Sequence, residues 1–281
     1  MNETIFLLLG VLGLAGIGSL VASNDDDHAP APPEDPYGGR DVIQGTEEAD
    51  TIEGTAGDDA VQSYGGDDSV AAGAGDDIVW TGYGDDTVDA DAGDDEIYLG
   101  NDDDSYGAYD LGAEEGNDTI DGGSGNDTIV TNLGDHSITG GDGDDQIEDY
   151  GGSVHIDGGS GDDLILSPDA SDADAADTLL GGDGNDTIHA GANDIVDGGD
   201  GADLIMLRSD AGGAADVTYG GSDNITITLA ADYTGSEDYD LVQDGDDVQV
   251  VLNGETLAVL RDTQADNVRD ISIVREATVT S

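Results

Sequence analysis

The chain of 281 residues contains no cysteine and no lysine, one phenylalanine, one tryptophan, five prolines and five basic residues, all of them arginine. Without cysteine there is no disulfide framework to hold a fold together. With so few large aromatic side chains there is no broad aromatic core. Five arginines against 67 Asp and Glu leave a formal net charge of -62, which excludes nucleic acid as a partner because nothing here could neutralise phosphates. The catalytic signatures are missing as well: there is no HExxH zinc helix and no GxSxG nucleophile elbow, and the four histidines, His28, His136, His155 and His189, are scattered. The expectation is a protein that is not an enzyme.

A chain this acidic repels itself and by composition alone reads as disordered. What argues otherwise is the phase of the acid. The stretch Ala72 to Tyr98 reads AGAGDDIVW, TGYGDDTVD, ADAGDDEIY, with an acidic pair every nine residues just ahead of Ile or Val. Cut into nines, Gly45 to Gly107 gives seven such blocks and Ala113 to Leu166 six more; in these thirteen the eighth position is always Ile, Val or once Tyr106, while the fourth is Gly in eleven and the sixth Asp in eleven. A fixed internal period points to a repeat architecture. The residues around the eighth position can make one short strand with one inward side chain, and a Gly at a set place permits a backbone of positive φ or a close approach. Strand and tight turn in alternation make a solenoid.

Blocks such as GGSGNDTIV (Gly122 to Val130) and GGDGNDTIH (Gly181 to His189) resemble the nonapeptide of RTX, or hemolysin-type, calcium-binding repeats. The resemblance covers about Gly45 to Ile227 and implies an all-β fold: a right-handed parallel β-roll, or β-solenoid, in which six residues turn around Ca2+ and three form a strand. It implies multiple calcium ions, shared by the sixth-position Asp of stacked turns and by turn carbonyls. Carried over by residue, the Asp ligands are Asp59, Asp68, Asp77, Asp86, Asp95, Asp104, Asp127, Asp145, Asp163, Asp186 and Asp203. The glycines of the intact turns are Gly122, Gly125, Gly140, Gly143, Gly158, Gly161, Gly181, Gly184, Gly198 and Gly201. Asp50 and Asp118 match at the sixth position but lack a complete glycine turn and rank below these. The fifth-position acids, Asp58 and Asp94 among them, are expected to be solvent-facing charge.

The second half carries a longer period. Blocks from Gly122, Gly140 and Gly158 keep the whole GGxGxD turn, whereas those from Ala113, Thr131 and Asp149 lose it, with His136 and Val154 in place of the Asp. If two nonapeptides make one coil, intact turns fall on one edge and degraded turns on the other. One continuous calcium column is then expected, with a second only between about Gly45 and Gly107. The series ends in a truncated GGSD at Gly220. About ten coils result, with a core of thin Ile, Val and Leu stacks that cannot hold carboxylate columns together unaided. Folding and calcium binding should therefore be coupled, at affinities of about 0.1 to 1 mM.

Around the repeat lie three other segments. Residues 1–23 hold an apolar run, Ile5 to Ala22, 18 residues long, expected to be a helix and either a signal peptide or a membrane anchor; its flanks lack the basic residues that would orient it. Residues 24–40 form a Pro- and Asp-rich linker, residues 41–227 the roll, and residues 228–281 an antiparallel β cap that also resembles the export segment closing many RTX arrays. Asn253-Gly254 between VQVVL and ETLAVL marks a hairpin. Trp80 and Tyr98, both at the ninth position, should stack on neighbouring coils facing outward. The expected setting is secreted, extracellular or cell-surface, with calcium ions as partners and a cell-surface or polysaccharide partner left open. The rival functions are a polysaccharide-acting RTX-type enzyme and an adhesive or ice-binding solenoid.

Overall fold

The computed structural model describes residues 37–107, 116–167, 176–210, 212–269 and 271–276. The apolar segment expected to be a helix lies outside them. Among the described residues no helix is long and apolar enough to cross a membrane.

Each apolar eighth position centres a strand of two to seven residues, and successive strands alternate between two parallel sheets. The chain thus winds as a β-solenoid of about ten coils. Register follows the eighteen-residue period: Val61 pairs with Val79 and Val79 with Ile97 in the first sheet, and Ile129 with Ile147 and Ile147 with Ile165 in the second. Where the chain carries extra residues the register absorbs them, so Ile97 pairs with Ile120 and Ile156 with Leu179. Segments 108–115 and 168–175 lie in sequence between a strand of the second sheet and the next strand of the first; the mirror connections, from first sheet to second, keep their length through Asp203. Inward side chains form two columns per sheet and not the expected one: Val61, Val79, Ile97, Ile129 and Ile147 are fully buried at the eighth position, and Ser63, Thr81, Leu99 and Thr131 at the first position of the next nonapeptide, because alternate residues of a strand share a face. Tyr106 fills the eighth position in the second sheet and is 1% exposed.

The C-terminal segment is mixed. Tyr239–Asp244, Asp247–Leu252 and Glu255–Arg261 pair antiparallel, with Asn253 (φ 52°) and Gly254 (φ 88°) in the left-handed turn between the last two. Yet Glu255–Arg261 pairs parallel with Ala215–Thr218, and Ser272–Arg275 parallel with Asn224–Leu229, so both sheets of the solenoid run on into this segment. Arg261 joins the two parts: it donates to Asp216 at 2.5 Å and to Asp247 at 2.9 Å. Outside the first sheet, Trp80 and Tyr98 are register partners whose rings lie 6.0 Å apart at an interplanar angle of 2°.

Candidate metal centre

The eighteen-residue coil sorts the sixth-position aspartates into two columns. Residues immediately ahead of second-sheet strands, Asp50, Asp68, Asp86, Asp104, Asp127, Asp145, Asp163, Asp186, Asp203 and Asp223, form one; Asp59, Asp77, Asp95, Asp118, His136, Val154, Asp177 and Asp194, ahead of first-sheet strands, form the other. All of the eleven sequence-assigned aspartates are buried, none more than 3% exposed.

Stacking gives each carboxylate one fixed bond. Oδ1 of Asp145 accepts the backbone N–H of Asp127 at 2.8 Å, and Oδ1 of Asp163 accepts that of Asp145 at 2.8 Å. The same link runs from Asp50 through Asp203 in the first column and from Asp59 to Asp118 in the second, at 2.7–3.1 Å. One oxygen of each carboxylate is thereby used. The other is left over: among the described residues, Asp68, Asp77, Asp86, Asp95, Asp104, Asp127, Asp145, Asp163, Asp186 and Asp203 each hold a buried Oδ2 without a hydrogen-bond partner, whereas Asp59 and Asp223, whose Oδ2 atoms accept the Thr55 and Gly220 N–H groups at 2.6 Å, leave a buried Oδ1 instead. A buried polar atom left unpaired costs free energy, a charged one most of all. Ten equivalent oxygens in register, with two more at Asp59 and Asp223, call for cations.

The glycines explain why that oxygen can sit where it does. A Cβ built at Gly122, Gly140, Gly158, Gly181 or Gly198 would lie 2.2–2.6 Å from Oδ2 of Asp127, Asp145, Asp163, Asp186 or Asp203 respectively, so the missing side chain is the space the free oxygen occupies. The fourth-position glycines serve a different end. Gly125, Gly143, Gly161, Gly184 and Gly201 have φ of 137–159°, and a Cβ at any of them would come within 2.0 Å of a carbonyl oxygen in the preceding coil. They let the turns stack at strand spacing.

Burial pushes these carboxyls upward, against the lowering effect of the N–H each accepts. Asp86, Asp127, Asp163, Asp186 and Asp223 rise to about 6, Asp95 and Asp145 to about 7, and Asp104 to about 8. Neighbouring carboxylates of the same column add to the rise. No cluster of three or more His, Cys, Asp or Glu side chains suited to a metal occurs among the described residues. The donors on offer are instead single carboxylates spaced by coil, with backbone carbonyls between them. Hard oxygen donors of that kind are what Ca2+ takes, so the residues fit the ion.

The lower-ranked positions behave differently. Oδ2 of Asp50 accepts from the Thr46 N–H at 2.7 Å and hydroxyl at 2.8 Å, and Oδ2 of Asp118 accepts from the Tyr106 hydroxyl at 3.1 Å beside His136 Nδ1 at 3.4 Å. Further along that edge, Asp177 uses its oxygens on Val154 N–H and Ser167 hydroxyl, and Asp194 on the N–H groups of Asp177 and Gly191. Protein donors there occupy the oxygen that the other column leaves free. Two residues escape the nonapeptide pattern. Asp223 ends the first column from the truncated GGSD, and that remnant was the signal for it. Asp149 is buried inside the coil, bonded by the Thr131 hydroxyl at 2.7 Å and Gly151 N–H at 3.1 Å; burial raises it to about 7.

The fifth-position acids Asp58 and Asp94 face solvent, and they also accept hydrogen bonds. Asp58 Oδ1 accepts the Asp76 N–H at 3.1 Å, Asp76 that of Asp94 at 3.1 Å, and Asp103 and Asn126 continue a parallel series on the other edge at 2.7–2.8 Å. This outer ladder points toward the next coil, opposite in sense to the inner one. Asp and Asn interchange in it because only an acceptor oxygen is needed.

The family model described as the RTX calcium-binding nonapeptide repeat (4 copies) matches residues 37–70, 71–106, 113–135, 139–167 and 173–205, more than half of the chain. No curated protein matches the chain in sequence. Among solved structures, the extracellular lipase LipA from Serratia marcescens aligns with 83% of this chain and 40% of its own, at 15% identity and a TM-score of 0.22. The chain thus spans well under half of that lipase, and a likeness so distant carries no argument about activity.

Proposed function

Because this chain belongs to the RTX calcium-binding nonapeptide-repeat family, we infer that it is a calcium-folded, noncatalytic repeat protein that works outside the cytoplasm, released or tethered through residues 5–22. Calcium binding in a β-roll is what family membership supplies. The observation that carries the folding half is the set of twelve buried carboxylates, each with one unpartnered oxygen. Bound Ca2+ supplies charge neutralisation and oxygen ligation at those atoms. Asp68, Asp86, Asp104, Asp127, Asp145, Asp163, Asp186, Asp203 and Asp223 hold one column of it, Asp59, Asp77 and Asp95 a shorter second one, and the antiparallel C-terminal strands close that end of the roll. Low cytosolic calcium leaves the chain unfolded and exportable; millimolar calcium outside folds it.

The test is far-UV circular dichroism of residues 38–281 during a Ca2+ titration, with Mg2+ as control. A cooperative coil-to-β transition is expected with Ca2+ and not with Mg2+. A chain already β-structured in chelator, or still unfolded at about 10 mM Ca2+ (tenfold above the weakest affinity expected), overturns the reading.

A matched pair of substitutions separates the columns. Asp145→Asn removes a charge whose second oxygen is free, so the Ca2+ midpoint should move up severalfold. Asp194→Asn alters a carboxylate already satisfied by two N–H groups; it removes no calcium ligand, so through the coupled folding its midpoint should move up by much less than that of Asp145→Asn. Equal midpoint shifts in both variants would show that the second edge binds calcium throughout.

A further inference from the structure

Aromatic residues are scarce in this chain, ten tyrosines, one tryptophan and one phenylalanine, yet Tyr37, Tyr64, Trp80, Tyr83 and Tyr98 gather on the outer face of the first four coils. Trp80 is flanked by two rings, Tyr98 stacked at 6.0 Å and Tyr37 in a T-shaped contact at 6.3 Å. Beside it lies an open cleft of about 290 Å³. Gln62, Tyr64, Trp80, Thr81, Gly82, Tyr83 and Asn101 line it, and Gly82 lets the coils approach there, since a Cβ on it would lie 2.2 Å from the Tyr64 carbonyl oxygen. Tyr64 is 40% and Tyr83 67% exposed.

Two features make this more than a structural ladder. Among the described residues that line it there is no carboxylate, in a chain where Asp and Glu number 67. Its polar side chains are also built rather than loose: Gln62 donates to the Tyr37 hydroxyl at 3.1 Å and accepts from the Tyr64 hydroxyl at 3.2 Å, Gln44 donates to the Tyr64 hydroxyl at 3.0 Å, and Asn101 donates to the Gly82 carbonyl at 3.3 Å. The Tyr83 hydroxyl and the Asn101 side-chain carbonyl are left for a ligand. Tyr64 holds φ of 76°, a conformation non-glycine residues rarely adopt, and it is this backbone that presents its ring beside the cleft.

We propose that this cleft binds a neutral hexose polymer, the apolar face of a sugar ring lying on Tyr83 and its hydroxyls bonding to Asn101 and the tyrosine hydroxyls. Charge decides the class. A cationic ligand would be drawn to the carboxylates everywhere else on the surface, an anionic glycan would be repelled by a chain of net charge -62, and an uncharged amphipathic ring suits an uncharged aromatic cleft. The proposal rests on the folded roll and adds a partner to it.

Trp80 is the single tryptophan, so its emission reports on this face alone. The experiment titrates calcium-loaded protein, first shown by circular dichroism to be β-structured, with cellohexaose, laminarihexaose and maltohexaose, reading Trp80 fluorescence and, independently, calorimetric heat. Saturable binding of at least one is expected, weakened about tenfold or more by Tyr83→Ala, whose exposed ring is not needed for folding. Three results overturn it: no heat and no emission change with any of the three sugars on folded protein, a Tyr83→Ala variant that binds as tightly as the parent, or equal binding of a polyglucuronate. Failure of the fold itself would appear earlier, as coil in the calcium-loaded control.

Discussion

Gly143→Ala is expected to abolish the calcium-folded state at millimolar Ca2+, while Gly57→Ala, at the same place in its nonapeptide, leaves it intact. Both are fourth-position glycines ahead of an Asp-Asp pair. Gly143 has φ of 137°, and a Cβ there would lie 1.7 Å from the carbonyl oxygen of Gly125 in the coil before it. Neither atom can yield, because both are backbone inside the stack. The strained φ and the overlap together should cost more than about 3 kcal/mol, and the damage would spread to the carboxylates on either side. Gly57 lies in the first coil, has no positive φ and would bring its Cβ within 4 Å of nothing. A calcium titration followed by circular dichroism reads both. Equal loss in the two variants would mean that the turn needs glycine for the ion and not for stacking.

Lowering the pH of calcium-free protein from 8 to 5 is expected to raise its β content, the reverse of ordinary acid denaturation. The column carboxyls carry folded-state values of about 6 to 8, above the 3.8 of a free Asp, because burial penalises their charge. A carboxyl raised in the fold destabilises it at every pH above the folded value, and the penalty fades as pH falls toward the unfolded one. Each carboxyl near 6 is worth on the order of 1–3 kcal/mol at pH 7. Several together rival the roughly 5–15 kcal/mol that holds a domain. His136 and His189 oppose the trend, since burial lowers both and their protonation disfavours the fold, but they are two against a column. The titration stops at pH 5 to stay above the sequence pI of about 4.1. Calcium should make the same protein β-structured at pH 8 as well, where the unfolded carboxylates are already ionised, and should release protons only from the acid-folded protein at pH 5. A calcium-free chain whose spectrum is flat across this range, or loses β content on acidification, would place the carboxylates in a better-solvated environment than the fold gives them.

The coil was legible in one dimension. An apolar eighth position and a two-nonapeptide alternation are facts of spacing, and the period of eighteen and the two-sheet winding follow from Val61, Val79, Ile97 and their successors; the second inward residue of each strand, Leu99 beside Ile97 and Thr131 beside Ile129, was not. The same spacing placed the carboxylates in columns, because a fixed spacing on a regular coil is a fixed position in space. Which oxygens are free follows from the stacking of coils. The incomplete glycine turn already ranked Asp118 below Asp145, but what occupies its second oxygen is a Tyr106 hydroxyl beside a His136 ring, twelve and eighteen residues away and brought near by stacking. The same holds for Asp223, for the outer ladder that begins at Asp58, and for the two parallel strands within the C-terminal segment, where Glu255–Arg261 and Ser272–Arg275 lack the nonapeptide and join the sheets by edge pairing alone. Backbone edges accept any strand whose hydrogen-bonding groups are unpaired, so no side-chain pattern announces it.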